Sequence, residues 1–68
     1  MTTRTLTVPD VHCDHCVMSI EDAVGALTGV EEVSVDLAGR TVDVTFDESA
    51  VDIDGIVTAI EGQGYEVA

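Results

Sequence analysis

His12-Cys13-Asp14-His15-Cys16 gathers both cysteines and both histidines of the chain into five consecutive residues. Two thiolates with two residues between them can close on one metal ion where a loop runs into a helix. A cation that prefers sulfur and accepts few donors suits such a pair, and Cu(I) fits best. A structural zinc site asks for four protein donors. The stretch offers four, but neighbours on a helix diverge by about 100°, so His15 and Cys16 should not both face one ion. A disulfide here would close too small a loop to stabilise a fold much. Metal binding or thiol redox chemistry in a reducing compartment remains. Thioredoxin-like redox pairs sit on a larger fold than this length allows, and half of a zinc ribbon would need a second cysteine pair.

The flanking residues must supply the loop and the helix. Thr5-Leu6-Thr7-Val8 alternates with period two and predicts a strand with Leu6 and Val8 inward. Pro9 ends it, because proline cannot donate to a ladder. From Cys16 the period changes: Val17, Ile20, Val24 and Leu27 share one helical face. Asp14 is the expected N-cap and Gly29 the residue that closes the helix. Cys16 then falls in the first turn, where unpaired N–H groups and the helix dipole favour a thiolate. Val33, Val35 and Leu37 alternate with acidic and hydroxyl residues in a second strand. After the Ala38-Gly39 turn, Val42, Val44 and Phe46 do the same in a third. Ile53, Ile56, Val57 and Ile60 mark a second helix ended by Gly62 or Gly64. Tyr65-Glu66-Val67 is expected as a short final strand.

This β-α-β-β-α-β order predicts an α+β domain spanning residues 1–68. It is a ferredoxin-like, four-stranded antiparallel sheet with both helices on one face. The core must be aliphatic, since the 68 residues include one Phe, one Tyr and no Trp.

Charge narrows the partners. Fourteen acidic residues against two arginines give a net charge of −12. Nucleic acid and anionic membrane surfaces are excluded, because nothing here neutralises phosphates. The lysine-free, acidic composition resembles that of proteins from salt-in halophiles, in which concentrated salt screens the self-repulsion. No apolar run suggests a signal or membrane insertion, so the chain reads as complete and cytoplasmic.

Val11-His12-Cys13-Asp14-His15-Cys16 after a first strand, with Gly64-Tyr65 near the C-terminus, resembles the heavy-metal-associated domain family. Within it the pattern is nearest to the stand-alone bacterial and archaeal copper chaperones. The resemblance spans nearly the whole chain. It implies one Cu(I) per chain held by Cys13 and Cys16, in a protein that is not an enzyme. It also implies transfer by thiolate exchange to the metal-binding domain of a copper-transporting P-type ATPase. Tyr65 is expected either near the thiolates or as an aromatic that closes the sheet edge against the loop. His15 is expected first as an exposed histidine at the helix N-terminus and second as a residue that tunes the site or joins contacts in a metal-bridged homodimer. His12 lies beside the pair, with a third ligand as its less favoured role. The family's usual Met and the Gly before it are replaced by Val11 and Asp10. A buffer or sensor for Zn(II), Cd(II) or Hg(II) without a transfer role is the alternative.

Overall fold

A computed structural model describes residues 1–68. The elements follow the order β1 (Thr2–Thr7), α1 (Asp14–Gly25), β2 (Val30–Asp36), β3 (Thr41–Phe46) and α2 (Ile53–Glu61). The strands form one antiparallel sheet in the order β1-β3-β2. Because β1 and β2 both run against β3, they are parallel to each other, with α1 as the crossover between them.

The period-two pattern of β3 sorts its residues cleanly. Val42, Val44 and Phe46 are buried while Asp43 is exposed. Ile20 and Val24 of α1 and Ile56 and Ile60 of α2 meet them in one cluster that also takes Leu6, Val8 and Val11. Both helices therefore cover the same face of the sheet, as one-sided strands require. On the open face the pattern is polar: the Thr5 hydroxyl donates to Asp43 at 2.6 Å, and Thr3 pairs with Thr45 at 3.1 Å. No charged side chain is buried.

Several boundaries differ from the sequence-based expectation, each for a local reason. The sheet has three strands, not four. Tyr65–Val67 keeps a strand's alternation, with Tyr65 and Val67 half-buried and Glu66 exposed. Yet the segment makes only one backbone bond to β1, from Ala68 N–H to Thr7 O at 2.9 Å, where a strand needs successive bonds. It lies along the edge of β1 without extending the ladder. β2 begins at Val30 rather than Val33 because the register slips between Val30 and Glu32. Glu31 is the extra residue of this bulge, so the alternation is broken in the sequence although the strand continues.

Asp14 is not the N-cap of α1. Cys13 holds that position with extended φ and ψ and makes no side-chain cap bond. Asp14 instead lies inside the first turn, where the helix dipole favours its charge. Asp52 does cap α2, its carboxylate accepting from Gly55 N–H at 2.9 Å. Gly29 does not close α1, which ends at Gly25 with Ala26 as its cap. Gly29 serves the turn into β2 with φ +98°, pressed so close to the following loop that an added Cβ would stand 2.6 Å from Ala50 Cβ. A side chain would be strained there by both backbone and space.

Candidate metal centre

The cysteine loop leaves the end of β1 and is pinned at both ends by ordinary backbone chemistry. Val8 N–H donates to Arg40 O at 2.8 Å, and Val11 N–H to Val8 O at 3.2 Å. Val11 is fully buried and anchors the loop from beneath. Cys13 then caps α1, its carbonyl accepting the first helical bond from Val17 N–H at 3.2 Å. The two cysteines thus differ in exposure: Cys16 is buried in the helix, and Cys13 is half-buried at the loop's end.

Cys16 belongs to the core stripe. It lies four residues before Ile20 and eight before Val24, and these are the three buried residues of α1. Val17 and Leu27, expected on that face, are only half-buried. The stripe therefore holds Cys16 from behind and directs its sulfur at the loop.

There the sulfurs of Cys13 and Cys16 approach to 3.3 Å with both cysteines free. His12 Nδ1 is 3.9 Å from Cys16 Sγ and 2.8 Å from the carbonyl oxygen of Asp10. One donor atom from each of His12, Cys13 and Cys16 lies within 4.8 Å of the others. His15 stands outside this group and is exposed, as divergence of neighbouring helical positions requires.

Electrostatics favour a thiolate at Cys16, whose pKa drops from 9.0 to about 6. Hydrogen bonding from the Tyr65 hydroxyl is the largest cause, followed by the His12 backbone N–H. Burial works in the opposite direction, and the Cys13 side chain and backbone add smaller lowering contributions. Tyr65 shifts up in turn, first because its hydroxyl must keep its proton to donate to Cys16, then through burial and the nearby sulfur charge. The half-buried Tyr65 that fails to extend the sheet is thus a neighbour of the Cys16 thiol.

A surface pocket of about 210 Å³ lies elsewhere, lined by Arg4, Phe46, Glu48, Asp52 and Ile53. It shares no residue with the cysteine group, and its Asp52 carboxylate is already engaged in capping α2. No helix is long and apolar enough to cross a membrane.

A loop-to-helix cysteine pair on a small one-sided sheet has counterparts among known proteins. Over its full length the chain is 47% identical to "Copper chaperone CopZ" of Bacillus subtilis, covering 99% of that protein. It superposes on the solved structure "CopZ metallochaperone" with a TM-score of 0.96, at 34% identity and covering 98% and 100% of the two chains. It is also 50% identical over 64 residues to the "Probable copper-exporting P-type ATPase" of Archaeoglobus fulgidus. That match covers 94% of this chain but 8% of the ATPase. The family model described as "Heavy-metal-associated domain" matches residues 5–66, and the chain belongs to that family.

Proposed function

We propose that this protein is a cytoplasmic copper chaperone. It holds one Cu(I) between Cys13 and Cys16 and passes it to the metal-binding domain of a copper-transporting P-type ATPase. The observation that carries the reading is the sulfur pair, 3.3 Å apart, beside which hydrogen-bond donors lower the Cys16 pKa to about 6. Soft thiolates select Cu(I), and a thiolate that already exists need not lose a proton to capture it. The likeness to copper chaperones along the whole chain supports this cargo. The likeness to one small part of a copper-exporting ATPase supports the partner, since donor and acceptor would present matching sites.

Transfer would proceed by exchange of ligands. A thiolate of the acceptor attacks Cu(I) from the side of Cys13, which is the more accessible of the two. A three-coordinate ion is then shared between the chains. Cys13 leaves first because it sits on the loop, and Cys16, fixed in the helix, leaves when a second acceptor thiolate replaces it. Copper never becomes free. Tyr65 stabilises the Cys16 thiolate between rounds of loading. His15, exposed beside the site, is available to a metal-bridged homodimer.

The test is to mix Cu(I)-loaded protein with an acceptor domain in the presence of a chelator that captures only free Cu(I). Direct exchange leaves the transfer yield unchanged. A yield that falls in proportion to chelator would show that copper dissociates first and would refute the mechanism.

A further inference from the structure

The core takes up nearly all of the large apolar side chains and leaves two exposed, Met1 and Met18. Met1 precedes β1, which runs from there toward the cysteine loop, so it lies at the far end of the sheet. Met18 lies in the second turn of α1, the helix that Cys13 caps, and is 61% exposed. At 1.5 Å per residue it stands about 7.5 Å along the helix axis from Cys13. It is thus the one large apolar side chain exposed beside the cysteine loop.

Its surroundings on the helix are acidic. Residues three and four apart are surface neighbours, which places Asp14, Glu21 and Asp22 around Met18. Asp14 and Asp22 are exposed and Glu21 is half-buried. No Lys or Arg of α1 offsets them, and Asp22 sits in the last turn, where the helix dipole disfavours negative charge. This grouping works against the helix that carries it, and a cationic partner would relieve it. The open sheet face offers hydroxyls and Asp43 instead, with no exposed large apolar side chain. A flexible thioether within a charged rim is the form of a docking anchor.

We propose that Met18 is the anchor on which the copper acceptor docks. The acceptor meets it with an apolar socket edged by Lys or Arg side chains that face Asp14, Glu21 and Asp22. The proposal rests on the reading of this chain as a copper carrier. An acceptor seated there stands beside Cys13, the less buried cysteine.

The full-length Cu(I)-loaded chain is titrated with the metal-binding domain of the host cell's copper-exporting ATPase. The chain has two methionines, so ¹³C-methyl spectra report both ends of the sheet separately. The Met18 resonance is expected to shift and that of Met1 to stay. Met18→Ser should lower the second-order rate constant of copper transfer about fivefold or more. Met18→Leu should keep it within about twofold, with Cu(I) affinity unchanged in both variants. Asp22→Asn should slow transfer about twofold or more at about 0.05 M KCl, but not at about 1 M, where charges are screened beyond about 3 Å. Glu32→Gln removes the same charge from the exposed part of β2 and should not slow it. Transfer by Met18→Ser at the wild-type rate would overturn the proposal. So would a Met18 resonance that follows this chain's own concentration, which assigns the face to a second copy, or wild-type transfer that speeds up with salt. Failure of the copper-carrier reading looks different: the Met18 resonance shifts but no copper passes. If neither happens, both readings fall.

Discussion

Tyr65→Phe removes the hydroxyl that bonds Cys16 and keeps the ring packed against the core. Cys16 falls from 9.0 to about 6 under four lowering contributions opposed by burial, and the Tyr65 hydroxyl is the largest of them. Because the Tyr65 hydroxyl is the largest lowering cause, the variant should raise the Cys16 pKa above about 6 and leave a smaller thiolate fraction at pH 7. The assay is a pH titration of the metal-free protein carrying ¹³Cβ-labelled cysteine, in which each cysteine reports its own ionisation. A Cys16 midpoint that is the same in both proteins would refute the reasoning. The backbone N–H groups at the start of α1 would then hold the thiolate without help. The same shift has a consequence for stability. Cys16 is an acid whose folded pKa is depressed, so its stabilising contribution is full above pH 9 and is lost as pH falls through about 6. The urea midpoint of the metal-free chain should therefore decline between those limits, and less steeply in Tyr65→Phe.

Gly29→Ala combines a left-handed backbone, costing about 1–2 kcal/mol, with a Cβ forced against Ala50, costing about 1–3 kcal/mol. A fall in Tm of about 10 °C or more is expected from differential scanning calorimetry, and an unchanged Tm would contradict the close approach seen at 2.6 Å. Asp52→Ala should cost about 1 kcal/mol in urea unfolding through loss of the cap on α2, and Asp14→Ala distinctly less, because only a charge in the first turn is lost. Equal costs would mean that Asp14 caps after all. With a net charge of −12, Tm should rise between 0.1 M and 3 M KCl as repulsion is screened, and equal values would dispose of the halophile reading.

Elements whose side chains alternate or recur without interruption were readable from sequence. β3 and α2 begin where the patterns of Val42-Val44-Phe46 and Ile53-Ile56-Ile60 place them. The pattern fails where backbone geometry decides. Glu31 hides the start of β2 because a bulge adds one residue to the alternation. Arg40 takes φ 53° in the β2–β3 turn, a conformation that Ala38-Gly39 suggested for glycine. The final segment has strand-like alternation but a single backbone bond, and hydrogen-bond partners across a sheet are not written in one segment's own residues. At the site, the closeness of Cys13 and Cys16 and the turning of His15 away from them followed from spacing. Two features did not. Cys16 continues the Ile20–Val24 stripe, a signal present in the sequence at i, i+4 and i+8 but obscured by reading Cys16 only as a ligand. The bond from His12 to Asp10 depends on loop conformation, which no periodicity encodes.

On the proposed function, the paired sulfurs of Cys13 and Cys16 hold copper. Anaerobic competition for Cu(I) against a chromogenic chelator, with wild type and the Cys13→Ser and Cys16→Ser variants side by side, tests it directly. One Cu(I) per wild-type chain is expected, with loss of that tight binding in each variant. Binding of undiminished strength in either serine variant would contradict it.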